Sequence, residues 1–301
     1  MASPLPFVRP PHLTPGDQVM VVSSSGALRE RQEWEKGIAL WQERGYQVHL
    51  GNNWDSRWGY LAGSDAQRRQ DLAQAWGDRQ IKAILCSRGG YGSARLLEDW
   101  QWPPLPEPKW VIGFSDVTGL LWSLACQGIV SVHGPVLTTL AAEPPWSQER
   151  LFNFLEAGTL PPWQGLGWGG GRVRGPLIAG NLTVATHCLQ TPYLPQLAGA
   201  ILALEDVTEA PYRIDRLLTQ WRLTGVLASL AGIALGRFSR CLAPAGIPSW
   251  TVAEVLRDRL GDLGLPVVSD LPFGHDGANG VLPLGLEVEL DGDGGTLTFC
   301  E

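Results

Sequence analysis

The sequence predicts an α/β protein, with an open, doubly wound parallel sheet in the N-terminal half and a smaller β-rich domain behind it. Three observations carry this expectation. Short apolar runs alternate with helix-period segments through the first half. Small polar clusters, "SSSG", "SRGGYG", "FSD" and "HGP", each close one of the apolar runs. Past residue 157 the helical segments thin out and the runs become short and strand-like.

Each element follows in order. "DQVMVV" is a strand rich in β-branched residues, and "RQEWEKGIALWQERG" spaces apolar residues at helical intervals before Gly45 stops it. "YQVHLG" and "DAQRRQDLAQAWGD" form the next strand and helix, and "IKAILC" and "SARLLEDW" another pair around the glycine-rich turn. "KWVIGFSD", "VTGLLWSLACQG" and "IVSVHG" complete the series. Strands alternating with helices pair in parallel through right-handed crossovers, and such a sheet binds ligands beyond the carboxyl ends of its strands. The four polar clusters all fall there. Residues 158–172, "GTLPPWQGLGWGGGR", show neither period and read as a linker between domains of residues 1–157 and 173–301. Beyond it, "GPLIAGN", "GAILALED", "LAGIALGRF", "PVVSDLPFG" and "LEVELDGDGGTLTFC" read as strands, and only "NLTVATHCLQ", "RIDRLLTQWRL" and "SWTVAEVLRDRLG" as helices. A compact sheet or barrel is the expected result.

Composition narrows the function. A chain of 301 residues with 44% apolar and 18% charged side chains can bury a sizeable core. Its net charge of −7, without a run of Lys or Arg, argues against nucleic acid and anionic membrane as partners. The start, "MASPLPFVRPPHLTPGD", has no apolar signal region, and no 18-residue apolar window occurs, so a cytoplasmic protein is expected. Five scattered cysteines without CxxC suggest free thiols rather than disulfides or a zinc ribbon. No metal or cofactor is expected: HExxH is missing, the glycine-rich "SRGGYGS" carries neither G-x-G-x-x-G nor GxxxxGK[ST], and "DGDGG" reads as a hairpin turn. Most of the 14 Trp suit packing, although several stand in loop-like stretches.

The chemistry centres on "VIGFSDVTGLLWSL". Ser115 stands between a strand and a helix, where it reads either as an N-cap or as a nucleophile on a sharp turn. Gly113 matches the first glycine of the G-x-S-x-G elbow, but Val117 replaces the second. A serine nucleophile needs a base and a group to orient it. Of the five histidines, His12 and His49 sit in the leader and a strand, and His187 in an apolar helical run. His133 ends a strand of the same sheet and is one candidate; His275, in the aperiodic "LPFGHDGANGVLPLG", is the other. Glu205 ends the apolar "AILALE", where burial of its carboxylate demands a hydrogen-bonding partner, while Asp206 is expected on the opposite face.

Taken together, "SRGGYGSARLL", "GFSDVTGLL", "VHGPV", "GNL", "LEDVTEAPYRIDRLL" and "FGHDGANGVLPLG" closely resemble the LD-carboxypeptidases, the serine peptidase family that also holds microcin C immunity hydrolases. The resemblance runs from about Pro11 to the C-terminus. It implies a flavodoxin-like N-terminal domain and a β-rich, swivelling-barrel-like C-terminal domain. It also implies a triad of Ser115 as nucleophile, Glu205 as orienter and His275 as base. The implied substrate is a murein tetrapeptide, cut between an L-centred dibasic residue and terminal D-alanine by a cytoplasmic homodimer. For the oxyanion, the backbone N–H groups of Gly89 and Asp116 are the candidates. The plainer reading of Gly89, Gly90 and Gly92 is a turn requiring positive φ. Arg88, with Gly90 and the turn at Ser93, is the candidate for binding the substrate carboxylate. Two rival readings stay open: a microcin-type peptidyl-nucleotide hydrolase, and a glutaminase-like hydrolase using Cys86.

Overall fold

The computed structural model describes residues 6–300, so the first five residues of the stretch read above for a leader lie outside it. Two compact units are present. The first runs to Leu160 and takes in Gly280–Leu284; the second comprises Pro161–Asn279 and the chain from Gly285 onward.

In the first unit, β1 (Gln18–Val22), α1 (Arg31–Glu43), β2 (Gln47–Leu50), α2 (Asp65–Gly77) and β3 (Ile81–Cys86) alternate as the sequence suggests. The short α3 (Ser93–Leu96), β4 (Trp110–Gly113), α4 (Thr118–Ala125), β5 (Ser131–His133), α5 (Leu137–Leu140) and α6 (Pro145–Ala157) follow. The parallel order is β2-β1-β3-β4-β5, which puts the reversal of chain direction between β1 and β3. Ser23–Gly26 and Ser87–Gly92 leave the sheet on either side of that reversal, and Gly26 N–H donates to Gly89 O at 3.2 Å. Local chemistry sets the helix boundaries. Ser64 and Gln67 form a reciprocal capping box at the start of α2. The interior is closed by Trp41, Trp76, Trp110 and Trp122, all essentially inaccessible, so much of the tryptophan content is core.

The second unit carries β6 (Trp163–Gln164), β7 (Leu166–Gly167), β8 (Arg172–Asn181), α7 (Leu182–Cys188), β9 (Ile201–Val207), α8 (Pro211–Leu223), β10 (Gly232–Ser239), α9 (Val252–Leu260) and β11 (Val267–Ser269). After β12 (Leu282–Leu284) come β13 (Glu287–Asp291) and β14 (Thr296–Phe299). Its eight strands run β6-β14-β13-β8-β9-β10-β11-β7, with β8 to β11 parallel and the outer pairings antiparallel. The two outermost strands are consecutive in the chain, joined only by Gly165, so this sheet is a nearly closed barrel.

Two features depart from the reading of the sequence. The stretch 158–172 is not featureless, because its Trp163–Gln164 and Leu166–Gly167 are the strands that close the barrel. A Cβ at Gly165 would lie 2.3 Å from Ser269 O, so only glycine fits between the two edges. Second, β12 belongs to the first unit, where it pairs antiparallel with β5 through Leu282↔His133.

Candidate active site

Two residues past the end of Trp110–Gly113 the backbone turns sharply. Ser115 has φ +61°, a left-handed conformation that a non-glycine residue holds only when its surroundings impose it. It opens a 3₁₀ turn, Ser115–Val117, that leads into α4. The caps there are Phe114 and Val117, and neither makes a side-chain cap bond, so the serine is not the N-cap of the helix. Gly113 is needed beneath this turn: a Cβ there would lie 2.9 Å from Val117 Cγ1 and 3.1 Å from Cys86 Cβ.

The glycine-rich loop packs directly against the serine. A Cβ at Gly89 would approach both Cβ and Oγ of Ser115 to 3.0 Å and the Asp116 amide nitrogen to 3.7 Å. Gly89 thus serves close approach, whereas Gly90 and Gly92, at φ +110° and +129°, meet the conformational demand. Asp116 ties the two segments together. Its Oδ2 accepts from the Ser93 N–H at 2.8 Å, and its carbonyl accepts from the Ser93 hydroxyl. Ser93 is fully buried in this contact. Arg88 is committed too: its Nη1 donates to Ala27 O at 3.2 Å and its Nε pairs with Glu30 at 3.3 Å. These contacts tie Arg88 to the loop that follows β1.

In the second unit, His275 Nδ1 and Glu205 Oε2 are 2.5 Å apart. Glu205 is wholly inaccessible, and burial pushes its carboxyl above the ordinary carboxylate range, opposed first by the bond to His275. The loop carrying His275 is irregular, with Gly274 and Gly277 at φ +131° and +61°. It is pinned by Arg237 of β10, whose Nη1 donates to the carbonyls of Asp276 at 3.0 Å and Ala278 at 2.6 Å. Gly274 N–H donates to Asn279 Oδ1 at 3.1 Å.

Beside Glu205 stands Asn181, its register partner on β8. Asn181 Nδ2 lies 3.3 Å from Glu205 Oε1 and 3.2 Å from Asp206 Oδ1, so Asp206 reaches the same amide rather than turning to the opposite face. Asn181, Asp206 and Arg237 carried no assigned role from the sequence. An Asn directly before an apolar helical run is a cap signature, but its register against Glu205 cannot be read from the chain.

The rival candidates separate on burial. His133 has no exposed surface and packs edge-on against Phe114, ring centroids 5.9 Å apart. Burial pushes the Cys86 thiol up to about 12, which leaves no thiolate near neutrality. Among the described residues no group of three or more His, Cys, Asp or Glu is arranged to hold a metal, and no helix is long and apolar enough to cross a membrane.

Residues 19–134 match the LD-carboxypeptidase N-terminal domain and residues 174–290 the LD-carboxypeptidase C-terminal domain. The chain belongs to the LD-carboxypeptidase family. A Synechocystis protein bearing a carboxypeptidase name is 62% identical over 98% of both chains. The murein tetrapeptide carboxypeptidase of Pseudomonas aeruginosa is 36% identical, over 83% of this chain and 85% of its own. The structure of MccF in complex with glutamyl sulfamoyl guanosine superposes at TM-score 0.87, with 22% identity over 96% of this LD-carboxypeptidase and 97% of that chain. The likeness to MccF establishes the shared fold.

Proposed function

We propose that this LD-carboxypeptidase is a serine peptidase acting on murein tetrapeptides in cell-wall recycling, as a homodimer in the cytoplasm. The bond it cuts joins the L-centre of meso-diaminopimelate or lysine to terminal D-alanine. The observation that carries the reading is the turn at Ser115. A serine held at φ +61° at the carboxyl edge of a parallel sheet, with glycine against its hydroxyl, has an exposed-nucleophile geometry that a capping serine lacks. Support for the substrate comes from the family and from the relative named for murein tetrapeptide.

In this reading Ser115 Oγ attacks the scissile carbonyl, and its proton passes to Nε2 of His275. The imidazole then carries two protons, and Glu205, bonded to Nδ1, stabilises that charge and fixes the tautomer. The oxyanion is met by the amides of Gly89 and Asp116, each such donor contributing about 2.7–4 kcal/mol to transition-state stabilisation. His275 returns its proton to the departing amine of D-alanine. Water then attacks the acyl-enzyme through the same base. Each atom and proton is accounted for without a metal or cofactor.

The test is D-alanine release from L-Ala-γ-D-Glu-meso-DAP-D-Ala by wild type and Ser115→Ala, with an L-alanine-terminated peptide as control. D-specific release that vanishes in Ser115→Ala is expected. Undiminished release by that variant would end the nucleophile assignment. Cleavage of an aspartyl or glutamyl sulfamoyl nucleotide in place of the tetrapeptide would transfer the reading to the peptidyl-nucleotide class.

A further inference from the structure

We infer that Asn181 is a positioning residue for the His275–Glu205 pair: its amide holds Glu205 and the adjoining buried Asp206 together as two acceptor-only carboxylates, leaving Glu205 Oε2 for the imidazole. The inference rests on the assignment of His275 and Glu205 as base and orienter.

The strands bring the three groups together. Parallel pairing sets Asn181 at the end of β8 opposite Glu205 on β9. The amide is oriented from its other end, because Asn181 Oδ1 accepts from the Val184 N–H at 3.1 Å at the start of α7. Both Nδ2 protons are thereby aimed at carboxylates, one toward Glu205 Oε1 and one toward Asp206 Oδ1. Asp206 meets only donors elsewhere. Its Oδ2 accepts from the Thr183 N–H at 2.9 Å and the Thr183 hydroxyl at 2.8 Å, and its Oδ1 from the Val207 N–H at 2.7 Å. Asn181, Glu205 and Asp206 are all at least nineteen-twentieths buried, so the amide is not replaceable by water without rearrangement.

Two anions in one dry site repel each other, and burial already raises both carboxyls. The Asn181 amide opposes that rise at each of them. The other titratable groups around the pair are the imidazole of His275 on Glu205 and the Cys241 thiol, which also meets Glu209; Arg237 of β10 pairs with Asp276 in the loop that carries His275. Without the amide, Glu205 and Asp206 take up a proton between them at higher pH. A protonated Glu205 has lost the charge that stabilises the imidazolium, and its O–H can compete for Nδ1 as a donor, so the base is weakened and its tautomer no longer fixed.

Asn181→Ser tests this, because serine still caps α7 but lacks the two-proton amide. Two measurements on the full chain decide it. In the first, without substrate, melting temperatures of wild type and Asn181→Ser are compared from pH 5 to pH 8. Raised folded-state carboxyls favour the protonated state, so stability is present at low pH and lost as pH rises through their titration. The variant's deficit is therefore expected to widen toward pH 8, whereas a lost packing contact gives a constant offset. In the second, the acid limb of kcat/KM for D-alanine release moves up by about one pH unit, a tenfold loss below it, with KM within about twofold of wild type. Should Asn181→Ser fail to fold, Thr183→Val removes one hydroxyl donor from Asp206 and is expected to shift both readouts the same way, less far. A constant melting offset and an unmoved acid limb overturn the inference. If wild type releases no D-alanine, the substrate assignment fails by itself, and the melting series still decides the role of Asn181.

Discussion

Gly89→Ala isolates the contact between the glycine-rich loop and Ser115, the proposed nucleophile. The backbone at Gly89 is outside the left-handed region, so alanine meets no conformational penalty there. Its methyl would instead sit 3.0 Å from Ser115 Cβ and Oγ, about 0.4 Å short of ordinary contact. Ser115 cannot retreat easily, because its φ of +61° is imposed by the turn and Gly113 beneath it is closely packed. The strain therefore lands on the hydroxyl and on the adjoining amides. Misplacing a reacting atom on this scale, together with displacing one oxyanion donor, costs about 10²-fold in kcat. Overpacking of one methyl costs about 1–3 kcal/mol of stability, leaving a folded enzyme. The assay is steady-state D-alanine release at matched folded concentration, with the melting temperature as the fold check. Gly77→Ala is the control, since nothing lies within 4 Å of its added Cβ and the residue ends α2 in ordinary helical φ; it is expected to be active and slightly more stable. A Gly89→Ala enzyme retaining more than half the wild-type kcat would refute the placement of this loop at the reacting centre.

Four further outcomes follow from the same geometry. Ser115→Gly relieves the left-handed backbone and should gain about 1 kcal/mol in chemical denaturation while losing D-alanine release, which separates strain from chemistry. Iodoacetamide at pH 8 should leave release intact, because the Cys86 thiol, pushed up to about 12, carries no thiolate there; inactivation protected by substrate would contradict this. Arg237→Met removes both donors that pin the carbonyls of Asp276 and Ala278, and kcat is expected to fall at least tenfold with the His275 loop loosened, measurable as faster amide exchange in residues 274–279. Glu205→Gln should lose about 10⁴-fold in kcat by analogy with amide replacement of a triad carboxylate. Because burial raises the Glu205 carboxyl in the folded state, wild-type stability falls as pH rises through that titration. The melting difference should thus move in favour of Glu205→Gln from pH 5 to pH 8, and a flat difference would show the carboxyl is not perturbed.

Much of the first unit was legible because a parallel sheet buried on both faces writes its strands as continuous apolar runs, and its helices write a different period. Trp110–Gly113 and Ile81–Cys86 are examples. The barrel was legible only as a tendency toward strand. Its closing strands are two residues long, too short for alternation, and what makes them possible is the missing Cβ of Gly165 against Ser269 O. The excursion of Leu282–Leu284 into the first unit was hidden for the same reason, since three residues carry no register. At the site, the sequence singles out Ser115, Glu205 and His275 by residue type and motif, but not the contacts of their neighbours. Arg88 reads from the sequence as an anion fork, and its pairing with Glu30, 58 positions away, is a contact the chain does not reveal. Asp206 reads from the sequence as turned to the opposite face, whereas its Oδ1 lies 3.2 Å from the Asn181 amide.

The turn at Ser115 shows why substitution of a neighbour, rather than of the serine, is the sharper probe. A left-handed serine costs about 1–3 kcal/mol and persists only if several contacts agree on it. Here the agreement comes from Asp116. Its side chain and carbonyl both bind Ser93, so the Ser115 turn and the end of the glycine-rich loop are one hydrogen-bonded piece. Replacing Asp116 would release the loop, the turn and the amide that follows Ser115 together, and a loss of activity would name none of them. Gly89 has no hydrogen-bonding side chain to lose and no left-handed φ to satisfy. A methyl there presses only on Ser115, at its Cβ and Oγ, and on the neighbouring Asp116 amide, which is why its kcat reports on this turn.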